Sequence, residues 1–390
     1  VKLLALFSRL SREGRLLLSS ACGAAVLGVD VGRTDAHALL LGVLVLSLVS
    51  VGFSWGYTLR GVKAQARAPR RVPVGEDLLI SVRVRNDGAA THQGLRVEGP
   101  RLPWDASWTG EAPTVPALAP GEEASAELRV RYRKRGERRL GPVRVAALVP
   151  LGLAQSAPVL TEGLRFVVVP RPARVTRVST PTPRKHQPGG VAQASQVGDT
   201  TELLGLRPYR PGDPIRDIHM RSWAKLGVPV VREYQQEYFT RVGVILDTSK
   251  IRDDVRFEAA LSLAAGVIAR LCGGETLVDV LVAGETVHRL SLGRSLGTLE
   301  QALDVLASVK PGPAFSAERV LTRLGPHLER LSSVVLLALV WDQERSRLLT
   351  TIQRRGVGCA ALVLGKAEGA DPGVREVPVE AILKGEALDL

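Results

Sequence analysis

An unbroken apolar run, Val242-Gly243-Val244-Ile245-Leu246, ends abruptly at Asp247 and is followed by a long amphipathic segment. A strand that is apolar at every position must be covered on both faces, which places it inside a sheet between helix layers. Across 256–272, Phe257, Leu261, Ala264, Ala265, Ile268 and Leu271 recur on one helical face. The alternation then continues. Strands are expected at 276–282, 334–340 and 359–364, with helices near 299–309, 317–331 and 345–355. This order predicts a mostly parallel sheet over 241–366, followed by a C-terminal tail at 367–390.

Upstream lies a dense polar stretch at 202–240. Residues 207–216 read Arg-Pro-Tyr-Arg-Pro-Gly-Asp-Pro-Ile-Arg and continue Asp217-Ile218-His219-Met220-Arg221-Ser222-Trp223-Ala224-Lys225. Pro211-Gly212-Asp213-Pro214 is a turn: proline fixes φ, glycine admits positive φ and aspartate bonds the local backbone. The candidate site residues are Arg207, Tyr209, Gly212, Asp213, Arg216, His219, Arg232 and Glu233. Three readings fit them. Arginine forks against Asp213, Glu202 or Glu233 knit the loop to its surroundings. Alternatively, the guanidinium cluster docks a partner or an anion. In the third, Asp213 and His219 serve a catalytic site, for which the sequence shows no evident nucleophile.

This stretch resembles the mark of a bacterial family known as domain of unknown function 58 (DUF 58). Val230-Val231-Arg232-Glu233 agrees with the family's following strand, while Met220 and Trp223 depart from its usual residues. The resemblance implies a membrane-tethered protein with a von Willebrand factor A-like, Rossmann-type α/β domain. Its implied partner is a MoxR-like AAA+ ATPase, with other von Willebrand factor A-like or envelope proteins as further partners. Domains of that type hold Mg²⁺ at the sheet edge through Asp-x-Ser-x-Ser, a threonine and a further aspartate. Here the corresponding positions are Asp247-Thr248-Ser249-Lys250-Ile251, Thr298 and Asp342, with Ile251 in place of the last serine. The expected site is therefore Asp247, Ser249, Thr298 and Asp342 in degenerate form, either metal-free or retaining Mg²⁺. In the metal-free case Asp247 caps the following turn or pairs with Lys250 or Arg252.

Between 61 and 170 short alternating runs are broken by Gly and Pro. Leu79-Ile80-Ser81-Val82-Arg83-Val84-Arg85 is the clearest, followed by the turn Asn86-Asp87-Gly88. Regular short strands point to an immunoglobulin-like β-sandwich. Residues 171–201, rich in Pro and Gly, read as a linker.

The N-terminal 60 residues carry two apolar runs, 16–31 and 36–57, read as a transmembrane helical hairpin. Basic residues flank both outer ends, which places both termini and the body in the cytoplasm, and the family resemblance implies the bacterial inner (plasma) membrane. A cleaved signal peptide fits less well because a longer apolar run follows at once. A net charge of +13 is explained largely by those flanks, and aromatics at 4% leave few stacking platforms, so no nucleic-acid partner is expected. Three cysteines lack metal-ligand spacing, and no other cofactor motif appears. The expected role is a membrane-anchored, non-enzymatic adaptor or scaffold. The rival is a hydrolase-type enzyme with a site around Asp213, Arg216 and His219.

Overall fold

Strands that alternate in burial dominate residues 62–169, and strands buried almost throughout form the centre of the sheet at 241–364. The structure is a computed structural model. It describes residues 9–27, 34–179, 202–213, 215–235, 241–273, 277–283, 288–292, 298–328, 331–365, 367 and 373–390. Two compact units emerge, Val1–Arg171 with Leu303–Ser308, and Pro172–Ala302 with Val309–Leu390.

The first unit opens with helices α1 (Arg12–Leu27) and α2 (Thr34–Ser54). The expected transmembrane hairpin is corrected here: among the described residues no helix is long and apolar enough to cross a membrane. At 1.5 Å per residue, the 16 residues of α1 span about 24 Å. A hydrocarbon core asks for about 30 Å. Glu13, in the first turn of α1, is paired with Arg96 through two bonds of 2.8 Å. The chain entering α1 is bonded to the β-rich body, with Ser11 N–H donating to Leu153 O at 2.9 Å. The uncharged part of α2 after His37, 38–54, gives about 25 Å. One side of it is buried, at Ser47, Ser50, Val51 and Ser54. The two-span inner-membrane topology, and the membrane-anchored adaptor role that rested on it, have no helix to carry them among the described residues.

Eleven strands follow: β1 (Val62–Arg67), β2 (Arg71–Pro73), β3 (Asp77–Asn86), β4 (His92–Glu98), β5 (Ala106–Trp108), β6 (Thr114–Leu118), β7 (Glu123–Tyr132), β8 (Gly136–Leu140), β9 (Arg144–Ala147), β10 (Val159–Leu160) and β11 (Leu164–Val169). They form three sheets, in the orders β1-β3-β7-β5, β10-β9-β4-β6 and β2-β11-β8. On β3, Leu78, Ile80, Val82 and Val84 point inward while their neighbours face out, as a half-buried strand requires. They share a core with Leu95, Val97, Leu128, Val130 and Tyr132, and Tyr132 meets Phe166 edge-on at 5.3 Å between centroids.

In the second unit, β12 (Val175–Arg177) falls inside the expected linker, of which 180–201 lies outside the described residues. Then come β13 (Glu202–Pro208), α3 (Met220–Leu226), β14 (Val230–Gln235), β15 (Arg241–Asp247), α4 (Asp254–Cys272), β16 (Leu277–Ala283) and β17 (His288–Leu292). Helices α5 (Leu299–Ser308) and α6 (Ala317–Leu328) precede β18 (Ser333–Ala338), α7 (Gln343–Arg354) and β19 (Gly358–Leu364). The expected tail is structured: β20 (Val374–Val377), α8 (Val379–Lys384) and β21 (Leu388–Asp389) complete the chain.

The central sheet runs β17-β16-β15-β18-β19-β20. Its pairings are parallel except for the edge pair β16 and β17, which is antiparallel. Strand β21 pairs in parallel with β12, and the segment before β12 rests on α4. Ala173 N–H donates to Ser262 O at 2.9 Å. A Cβ on Gly266 would stand 2.3 Å from Ala173 O, so only glycine permits that approach.

Candidate functional site

In open α/β sheets, ligands gather at the carboxyl ends of strands where the order reverses. Here that point lies between β15 and β18, since the chain runs outward from β15 to β16 on one side and from β18 to β19 on the other. Asp247 ends β15 there, wholly buried. Its Oδ1 accepts from Ser249 N–H at 2.9 Å, which caps the following turn. Its Oδ2 accepts from Leu339 N–H, just past β18, at 3.1 Å.

The rest of the pocket is filled by a side chain that the sequence pattern did not single out. Arg345, 2% exposed, donates from Nε and Nη2 to Asp247 Oδ2 at 2.9 and 2.6 Å. Nη2 also donates to Ser249 Oγ at 2.9 Å, and Nη1 pairs with Asp342. Asp342 is the N-cap of α7, with Oδ1 accepting from Arg345 N–H at 3.1 Å. Phe315 closes the top, its ring centroid 4.6 Å from the guanidinium carbon. The covering loop is tied down by Gly312 N–H to Thr248 O at 2.6 Å and Lys250 N–H to Gly312 O at 3.1 Å.

Three of the four expected ligands thus converge, but around a guanidinium. A Mg²⁺ ion needs oxygens at about 2.0–2.1 Å in an octahedron. The space between Asp247 Oδ2 and Ser249 Oγ already belongs to Nη2, so these residues do not fit a divalent ion. Thr298 is exposed and starts α5, its N–H bonded to Gln301 Oε1 at 3.4 Å. No group of His, Cys, Asp and Glu able to hold a metal occurs among the described residues. Asp247 pairs with Arg345 rather than with Lys250 or Arg252. A cation at the third position of a helix opposes the helix dipole. That local conflict, with Asp342 three residues earlier, was the available clue to Arg345.

The second cluster is the polar stretch itself. Strands β13 and β14 form an antiparallel pair, with Arg207 opposite Val231 and Leu206 opposite Arg232. Arg207 grips Asp213 with two bonds of 2.7 Å, and Arg210 N–H donates to Asp213 Oδ2 at 2.8 Å. Gly212, at φ +104°, supplies the turn between them. The Arg207 fork and the Arg210 N–H hold the Asp213 carboxyl down to about 2. Tyr209 N–H donates to Pro229 O at 2.9 Å. His219 is the N-cap of α3: Nδ1 lies 2.7 Å from Ser222 Oγ and accepts from Ser222 N–H at 3.3 Å. Arg216 is largely exposed, 3.9 Å from Asp217, and Arg232 is exposed. Glu233 lies on β14, and its side chain is outside the described residues. Asp213, Arg216 and His219 each have a different partner, and no hydrogen bond joins them among the described residues.

No family model matches the chain, and no curated protein matches it. Solved structures resemble part of it. The segment of Escherichia coli alpha-2-macroglobulin from domain MG7 to the C-terminus is 20% identical with a TM-score of 0.23, over 29% of this chain and 17% of that one. The CARDB domain of a Pyrococcus furiosus protein is 16% identical at a TM-score of 0.19, over 28% of this chain and 94% of that domain. AvmM, which catalyses macrocyclization in alchivemycin A biosynthesis, is 12% identical at 0.20, over 28% and 88%. The chain spans less than a fifth of the alpha-2-macroglobulin segment. Likeness at this level concerns a piece of backbone and brings no activity with it.

Removing the buried guanidinium leaves Asp247 charged and uncompensated. Arg345→Met is expected to cost about 3–5 kcal/mol in denaturant unfolding of the full chain. Arg345→Lys should recover only part, because one ammonium cannot reproduce the fork. A loss under about 1 kcal/mol for Arg345→Met would mean that water reaches Asp247.

Asp213 gives a second test. Its folded pKa lies below the unfolded value of about 3.9, so its contribution is full above that pH and is lost as pH falls through about 2. Arg207→Ala should return the Asp213 carboxyl, followed by NMR titration, towards the ordinary aspartate range. An unmoved titration would assign the depression to the turn alone.

Proposed function

We propose that this chain is a protein-binding molecule whose α/β domain makes its contacts without a metal ion. The observation that carries this is the Arg345 guanidinium between Asp247, Ser249 and Asp342. A metal-dependent contact works by leaving one coordination position open for a carboxylate from the partner. A guanidinium that donates to the buried Asp247 and Ser249, pairs with Asp342 and lies under Phe315 leaves no such position. The switch point is therefore a brace, and recognition falls to other surfaces.

The DUF 58-like residues Arg207 to Lys225 support a MoxR-like AAA+ ATPase as the partner, with other von Willebrand factor A-like or envelope proteins as further candidates. The nucleotide-free ATPase should be retained on immobilised full-length protein equally in excess EDTA and in millimolar Mg²⁺. Retention lost in EDTA and restored by Mg²⁺ would refute metal independence. No retention in either buffer would remove this ATPase as the partner.

One observation favours a second reading, a hydrolase-type enzyme at the polar stretch. Ser222 Oγ lies 2.7 Å from His219 Nδ1, within the reach of a nucleophile and its base. On this reading the hydroxyl proton passes to Nδ1 while Arg216 faces an anionic substrate. Turnover of nitrophenyl ester and phosphoester substrates should then vanish in both Ser222→Ala and His219→Ala. Rates unchanged in either variant would leave the pair as a helix cap.

A further inference from the structure

Strand register sets cations directly opposite one another at two places in the first unit: Lys63 with Arg85 across β1 and β3, and Arg139 with Arg165 across β8 and β11. Side chains at such positions have Cβ atoms about 4.5–5.5 Å apart, and like charges there repel. At the first place Asp87 joins the two cations, its Oδ2 2.9 Å from Lys63 Nζ and its Oδ1 2.7 Å from Arg85 Nε. Lys63, and after it Arg85, hold the Asp87 carboxyl below the ordinary aspartate range. One carboxylate, with one oxygen for each cation, is how this fold resolves such a pair.

At the second place the chain supplies no such carboxylate. Arg139 and Arg165 are exposed, and neither side chain has an ion pair or hydrogen bond among the described residues. Alternation turns both outward: their neighbours Leu140 and Phe166 are buried, and Arg138 reaches Asp105 at 2.5 Å instead. The acids nearest along the two strands are Glu137, opposite Val167, and Glu162, in the turn before β11. Neither pairs with Arg139 or Arg165.

We infer that Arg139 and Arg165 form a binding site for one oxyanion, the carboxylate of an acidic side chain on a partner protein. Two guanidinium groups side by side take a two-oxygen anion through forked, charge-assisted bonds. The bound carboxylate does at this pair what Asp87 does at Lys63 and Arg85. The site lies on extended strands, without the converging backbone N–H groups with which a helix terminus or a nest cradles phosphate. Both cations project from the sheet, so an acid on another protein reaches them without any rearrangement of the core. The inference rests on the protein-binding reading for the source of the carboxylate, and on the register of β8 and β11 for the site.

The test follows arginine Nε–H signals by NMR while the full chain is titrated with sodium acetate, exchanged for chloride at constant ionic strength. Arg139 and Arg165 should move together on one saturating curve, and Arg85, whose carboxylate is in place, should stay still. Arg139→Gln should weaken the acetate binding read at Arg165 by about tenfold, the loss of one charge-assisted bond. Arg139→Glu supplies the carboxylate from within, so it should abolish the acetate response and raise Tm by about 1–3 °C. A tetraglutamate peptide should shift the same two signals as acetate. Shifts that never saturate, or an unchanged Arg165 curve in Arg139→Gln, would overturn the inference. Signals unmoved by the peptide would exclude a protein as the source. Inorganic phosphate saturating the pair at a concentration about tenfold below acetate would make the occupant a phosphoryl group and overturn it too. Retention of the ATPase separates this site from the broader reading. Acetate binding without retention leaves the site standing and removes that partner, while retention without acetate binding overturns the site alone.

Discussion

One guanidinium holds the centre of the α/β domain together. Arg345 reaches back from the first turn of α7 to Asp247 at the end of β15, while Leu339, just past β18, donates to the same carboxylate. Strand, neighbouring strand and following helix are thereby joined at a single pair of oxygens. Burying a carboxylate is expensive unless it is both paired and hydrogen-bonded. Asp247 meets that condition with two backbone N–H groups and two guanidinium N–H groups. The crevice that a sheet of this order leaves open is consequently filled from within. A position suited to a ligand in such a sheet is here a structural joint.

Much of the architecture could be read from the chain because it follows local pattern. Alternation at Leu79 to Arg85 marks β3, and the continuous apolar run at Val242 to Leu246 marks β15. The turn at Gly212 and Asp213 was visible in composition, and the Arg207 fork closes it. Other elements were hidden because their stability is tertiary. The two-residue strand β21 exists only through β12, and both depend on the close approach that Gly266 allows. Arg345 lies in no pattern of that kind. Only the fold brings it to Asp247, 98 residues away in sequence.

The N-terminal helices show where hydropathy alone misleads. The run 36–57 is apolar, yet the uncharged part of α2 after His37 gives only about 25 Å against the about 30 Å of a hydrocarbon core. Helix α1 is short, and the Glu13 pair with Arg96 ties its first turn to the β-rich body.

The central claim is that Arg345 takes the place of a metal ion. Isothermal titration of Mg²⁺ or Mn²⁺ into the full-length protein tests it most directly. The account predicts no heat beyond dilution, because the oxygens of Asp247, Ser249 and Asp342 are already engaged. Saturable, stoichiometric heat would contradict it, for an ion would then be displacing the guanidinium from the pocket.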